Sequence, residues 1–173
     1  IRQALQRLEA EGLVTKSDSA RFTVTLVSPK QVEEACDLLQ IIDTYLFKKA
    51  AQNLDDKGAR ELIQVSEQMI AAGNNDDRDA WSKFDTKFHD LVINAANNQT
   101  IAGLALVTRR KIQRFWTKSA AYENRLVTCS KEHEVLARVM AAKDFAAIEP
   151  AVIAHMEHMR TSILRILEIA API

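Results

Sequence analysis

Only 4 glycines and 3 prolines interrupt 173 residues, and this scarcity of chain breakers constrains the fold more than any other feature. Abundant Ala and Leu, strong helix formers, make long helices the expectation. Apolar residues recur at helical spacing between short polar breaks. At Val27-Ser28-Pro29, Pro29 holds Ser28 extended and then starts a helix. The stripe Val32, Ala35, Leu39, Ile42 and Leu46 predicts that this helix runs from about Lys30 to Asn53. A break at Asn53-Leu54-Asp55-Asp56, with an Asp cap, leads into a helix holding Ala59, Leu62, Ile63, Val65, Met69 and Ile70. Gly73-Asn74-Asn75-Asp76 ends it, and the next helix carries Phe84, Phe88, Leu91 and Ala95 as its apolar stripe before Asn97-Asn98. Ile101 to about Ala121 follows, with Leu104, Val107, Ile112, Phe115 and Trp116 inward, and then Glu123 to Ala142. Proline inside a helix costs roughly 3 kcal/mol, so the last helix is expected to begin at Glu149-Pro150, with Phe145 to Ile148 as a separate turn. The expected fold class is all-α, an antiparallel bundle of about six to seven helices around one core.

The first 27 residues differ in character. Ile1 to Glu11 reads as a helix with Ile1, Leu5 and Leu8 on one side, opening in mid-helix, and Gly12 supplies the left-handed residue that ends it. Two extended runs follow, Leu13 to Lys16 and Arg21 to Leu26, around Ser17-Asp18-Ser19-Ala20. Phe22, Val24 and Leu26 alternate with Thr23 and Thr25, the period of a half-buried strand. Helix, strand, turn, strand is the closing half of a winged helix-turn-helix, and it divides the chain into residues 1–27 and 28–173.

Charge does little to define a partner. The net charge is zero, so no global electrostatic argument for nucleic acid exists. Residues 1–30 alone carry five basic and three acidic side chains, a net of +2. No apolar run is long enough for a bilayer and no signal-peptide pattern occurs. Cys36 and Cys129 both fall in helical patterns and read as small half-buried hydrophobes in a reducing cytoplasm.

Asp85 and His89 are four residues apart on one helix, which puts both on one face at the border of the apolar stripe. Burying either alone is costly. An ordinary Asp–His hydrogen bond is the simpler account of this pair taken by itself. Two further helices change the balance. In the first, Leu126, Cys129, His133, Leu136 and Met140 form the inward stripe. In the second, Ile148, Val152, His155, Met159, Ile163 and Ile166 do so, whereas His158 falls on a more polar face. Two inward imidazoles, with a third bordering the core beside a carboxylate, all from three helices, favour a bound divalent transition metal. Zn²⁺ is the first choice, with Ni²⁺, Mn²⁺ or Fe²⁺ open, because the ligand set does not choose among them.

The residues of the first helix and strand, Ile1-Arg2-Gln3-Ala4-Leu5-Gln6-Arg7-Leu8-Glu9-Ala10-Glu11-Gly12-Leu13-Val14, resemble the recognition helix and following strand of the GntR family of bacterial transcription regulators. The family pattern there is close to V-R-E-A-L-R-R-L-E-A-E-G-L-V. The resemblance implies that Arg2 contacts DNA and that the turn near Arg21 forms the wing. Arginine suits both tasks, pairing bidentately with guanine edges or phosphates. Family wings usually carry glycine near the tip, whereas this turn reads Asp18-Ser19-Ala20-Arg21. The helices that precede the recognition helix in the family are not in this sequence, so this piece is expected not to bind DNA properly by itself.

Residues 28–173 resemble the helical effector domain, the FCD domain, of the FadR-like branch. In its metal-binding members a D-x-x-x-H pair is followed by one His on each of the last two long helices. Asp85, His89, His133 and His155 match those positions. The resemblance implies an open coordination position for a small, often carboxylic, effector, and a homodimer reading operator DNA. Members often carry an Arg on the first effector helix that pairs with the effector carboxylate. The matching stretch, Asp37 to Asp43, has none, which predicts an effector held differently or one that is less acidic.

Two other functions fit parts of this pattern. A metal-dependent hydrolase in a helical bundle fits three His and one Asp with an open position, but no spare carboxylate stands on a stripe beside the ligands. Glu132 and Glu134 point about 100° from His133 on their helix. A metal-free helical interaction module is the other alternative. The winged-helix remnant argues for a regulator and against an enzyme.

Overall fold

A computed structural model of the protein describes residues 1–18, 20–119 and 125–170, without the side chains of 113–119 and 170. The order is α1 (Arg2–Ala10), β1 (Val14–Lys16), β2 (Phe22–Val24), α2 (Pro29–Asn53), α3 (Asp56–Asn74), α4 (Arg78–Ala96), α5 (Gln99–Ser119), α6 (Arg125–Ala141) and α7 (Phe145–Ala170). It is an all-α bundle with a two-stranded hairpin remnant. The expected inward roles of Phe115 and Trp116, the helix limits at Ala121 and Glu123, and Ser19 of the wing turn lie outside the described residues.

Local chemistry sets most boundaries. Gly12 at φ +72° allows the Leu13 N–H to reach the Leu8 carbonyl at 2.9 Å, closing α1. Ser28 and Gln31 form a reciprocal capping box on α2, with Pro29 in its first turn. Asp55 and Asp77 cap α3 and α4 through the N–H groups of Gly58 and Ala80. The connections are short, which brings successive helices back antiparallel.

The core forms where α2 packs on α4, α5 and α7 while α3 packs on α4 and α6. Val32, Leu39, Leu46, Leu62, Met69, Phe88, Leu136, Ile148 and Ile163 are all buried there, each burial contributing roughly 1.5–3 kcal/mol. Gly73 lets α3 approach α6 closely, because a Cβ there would lie 3.1 Å from the Val127 nitrogen. A buried hydrogen bond from Trp81 Nε1 to Ser130 Oγ, 2.8 Å, joins α4 to α6.

The structure corrects four sequence readings. Leu104 and Val107 are 54% and 40% exposed; α5 turns Ala102, Ala105 and Thr108 inward in their place, together with the expected Ile112. Small alanines permit a close approach that larger side chains would block. In α4 the buried face holds Trp81, Phe88, His89, Val92 and Ala96, while Phe84, Leu91 and Ala95 are only half-buried. Asp85 and His89 therefore lie within the inward face rather than at its border. Pro150 lies inside α7, which begins at Phe145. Asp144 caps this start by accepting from the Ala147 N–H, so the first turn is helical and Pro150 removes only one donor farther along. Finally, β2 stops at Val24, and Val24 and Leu26 are exposed. A two-stranded hairpin has no third layer among the described residues to bury that side.

Candidate metal centre

Four helices converge on one small cavity. α4 contributes Asp85 and His89, α6 His133, α7 His155, Met156 and Met159, and α5 Arg109 and Ile112. Its volume is about 30 Å³, room for an ion or a water. His89 and His133 point their Nε2 atoms at one another, 3.4 Å apart. Asp85 Oδ1 lies 3.8 Å from His89 Nε2 and 3.5 Å from His133 Nε2. These three donors form a nearly equilateral triangle. Metal bonds of about 2.0–2.2 Å in tetrahedral geometry set donors about 3.4 Å apart, so the triangle fits a tetrahedral ion.

The tautomers fit as well. His133 Nδ1 lies 2.8 Å from the Cys129 carbonyl, which only accepts, so Nδ1 carries the proton and Nε2 keeps its lone pair. His155 Nδ1 lies 2.8 Å from Glu132 Oε2, with the same consequence. Such outer partners orient metal-binding imidazoles and raise their basicity. Burial keeps the rings neutral. It lowers His133 to about 4, helped by His155, and His155 to about 3, helped by Arg109. Burial first, then Arg109, holds His89 well below the ordinary value. Desolvation raises the Asp85 carboxyl. A buried carboxyl among neutral lone-pair donors is a cation-seeking arrangement.

His155 stands slightly apart. Its ring centroid is 4.7 Å from that of His133, and it lines the same cavity. Among the described residues, donor atoms within 4.8 Å of one another fall into two sets: Asp85, His89 and His133, and Cys129, His133 and His155. The four expected ligands thus share one cavity, with three clustered and His155 farther from part of the triangle. His158 is excluded from the cavity lining, as its facing implied, but its Nδ1 lies 2.9 Å from Glu132 Oε1.

Sequence reasoning missed three residues. Glu132 does stand beside a candidate ligand, contrary to the expectation from α6 alone, because α7 brings His155 to the side of α6 where Glu132 projects. Arg109 lines the cavity and pairs with the buried Asp43 of α2 at 2.6 Å. The stretch that lacks an arginine thus receives one from α5. Arg125 is also buried, on α6, with its guanidinium pulled down to about 10 by desolvation. An inward charged residue at helical spacing was the available signal for Arg109, which follows the buried Ala102, Ala105 and Thr108.

Arg2 and Arg21 are both exposed on the N-terminal unit. Arg2 opens α1 beside Gln6, Lys16 and Phe22 around a shallow depression. Ala20 holds φ +59°, a left-handed conformation that glycine adopts without strain. This is the turn where the family's glycine is replaced.

A helical bundle with an inward histidine cluster, preceded by a short helix and a two-stranded hairpin, is the fold expected of the regulators that the sequence resembles. The FCD domain family model matches residues 34–158. The chain belongs to the FCD-domain family, within the GntR regulators. It is 22% identical over 97% of its length to an uncharacterized HTH-type transcriptional regulator, YdhC, of Bacillus subtilis, covering 75% of that protein. It is 24% identical over 58% of its length to the gluconate operon transcriptional repressor of Bacillus licheniformis, covering 41% of it. Among solved structures, E. coli McbR/YncC matches with a TM-score of 0.85 at 17% identity, over 96% of this chain and 84% of that one. The Listeria monocytogenes protein Lar, described as controlling expression of the agr system, matches with a TM-score of 0.72 at 13% identity, over 95% and 78%. No helix among the described residues is long and apolar enough to cross a membrane.

Proposed function

We propose that this chain is the effector-sensing part of a DNA-binding regulator whose helical domain holds a divalent transition metal. Residues 28–173 form the effector and dimerisation unit, and residues 1–27 close the DNA-binding unit. The observation that carries the reading is the triangle of Asp85 Oδ1, His89 Nε2 and His133 Nε2, with 3.4–3.8 Å sides. His155 completes the ligand set after a small inward shift. The cavity of about 30 Å³ holds little more than the ion, so a small organic anion reaches the metal's open position only as α4, α5 and α7 repack, with the Arg109 guanidinium supplying the charge that α2 does not. Four protein ligands fill a tetrahedral zinc, so the effector enters as a fifth ligand, a coordination number to which zinc can expand.

In the homodimer, two recognition helices would enter successive major grooves about 34–36 Å apart. Arg2 contacts base edges or phosphate there, and Arg21 reaches the duplex from the wing. An effector that changes how α4, α5 and α7 pack needs a coupling of only about 1–3 kcal/mol to alter DNA occupancy. The test is a promoter-shift assay with the full-length protein, loaded with zinc and then stripped by chelator. Sequence-specific binding whose affinity differs at least fivefold between the two states supports the reading. Absence of any sequence preference contradicts it.

A further inference from the structure

A second cavity, outside the metal centre, lies at the junction of the two units. Its volume is about 390 Å³, within the range of small-molecule sites, about 300–1,000 Å³. By the same measure the metal cavity has about 30 Å³. Leu13 and Val27 of the hairpin and linker form one wall, Leu38 of α2 a second, and Ile112 of α5 a third. Ile112 lines both cavities and is the partition between them. An ion pair of Arg110 with Glu11, 3.0 Å, joins α5 to the end of α1 beside this junction.

The lining also carries one charge of each sign. Glu34 on α2 and Lys111 on α5 both face the cleft, and Glu34 is engaged only loosely by Lys30 at 3.8 Å. Both side chains are exposed, and a molecule with one formal charge would be attracted by one of them and repelled by the other. A zwitterion with an apolar body satisfies both, its ammonium toward Glu34, its carboxylate toward Lys111, and its body against Leu38 and Ile112. We infer that the junction cleft is a second ligand site, and that it takes a small zwitterion of the apolar α-amino acid type. Binding there requires no metal. An occupant touches both units at once, so its effect on DNA rests on the regulator reading above, whereas binding itself does not.

The test is calorimetric titration of the full-length protein with L-phenylalanine, with 3-phenylpropanoate and 2-phenylethylamine as analogues that keep one charge each. L-phenylalanine is expected to bind, and each analogue to bind about tenfold or more weakly, because each leaves one charged hydrogen bond unmade. Leu38→Trp fills the cleft from a partly exposed position and is expected to abolish binding at unchanged helical content. Should that variant misfold, Glu34→Gln and Lys111→Gln, both at exposed sites, are each expected to weaken binding about tenfold. Wild-type protein stripped of metal by chelator is expected to keep the affinity within twofold. No binding of L-phenylalanine, equal binding of either analogue, retention of affinity in both charge variants, or loss in the chelator-stripped protein overturns the assignment.

Discussion

The Arg109 guanidinium lies 2.6 Å from the Asp43 carboxylate, so a cation of α5 that lines the candidate metal cavity is held by a buried acid of α2. Desolvation raises the Asp43 carboxyl, and Arg109 opposes that rise. Removing Arg109 leaves a buried acid with its main counter-charge gone. Arg109→Gln is expected to destabilise the fold by about 3 kcal/mol, the lower end of the range for breaking buried pairs. The sign with pH is defined. A carboxyl whose folded-state pKa is raised binds a proton more readily in the native state, so stability is lost as pH rises through that value. The cost of Arg109→Gln should therefore be larger at pH 8 than at pH 5. Urea unfolding at the two pH values, with Asp43→Asn/Arg109→Gln as a partial rescue, measures it.

Glu132 makes a second relationship testable. Its two carboxylate oxygens lie 2.8 Å from His155 Nδ1 and 2.9 Å from His158 Nδ1. Glu132→Gln keeps the shape but replaces a charged acceptor that fixes the His155 tautomer. Metal affinity should fall about 10–100-fold, the usual effect of removing an outer-shell partner. A chelator-competition titration reads this directly. His158→Gln should change the affinity less than Glu132→Gln, because His158 lines no part of the cavity.

Thiol chemistry supplies a further pH test, at Cys36 away from the candidate ligands and at Cys129 beside His133. Burial pushes the Cys36 thiol up to about 11, with Arg160 opposing. At pH 8 the thiolate fraction is then about one in a thousand, against about one in ten for a thiol at 9.0. Burial holds Cys129 well above the ordinary range. Iodoacetamide should leave both cysteines unmodified in native protein at pH 8 and alkylate both in urea. Mass spectrometry of the two samples counts the adducts.

The helices were legible because their apolar stripes are regular and their caps are explicit. Ser28 and Pro29, Asp55, and Asn97 mark turns by local chemistry that needs no partner. His133 and His155 were legible for the same reason, each occupying an apolar stripe position where an imidazole needs explaining. The inward face of α5 was not. Leu104 and Val107 outrank Ala102 and Ala105 in hydrophobicity, yet the alanines are the buried ones, because small side chains allow helices a closer approach. The Arg109–Asp43 pair spans 66 positions, and no periodicity within one helix reveals such a partner. Glu132 escapes a sequence reading for a related reason: its direction on its own helix says nothing of the neighbour that carries His155. Pro150 looks like a boundary because its average cost is high, but a capped turn upstream keeps α7 helical through it.

The central claim is that Asp85, His89 and His133, with His155, hold one divalent metal per chain. The most direct measurement is metal content by inductively coupled plasma mass spectrometry after zinc loading and gel filtration, for wild type, Asp85→Ala and His133→Ala. The account predicts close to one ion per wild-type chain and less than a tenth of that in either variant, with circular dichroism showing that both variants remain helical. Wild-type protein carrying no stoichiometric metal, or folded variants that retain it, would contradict the account.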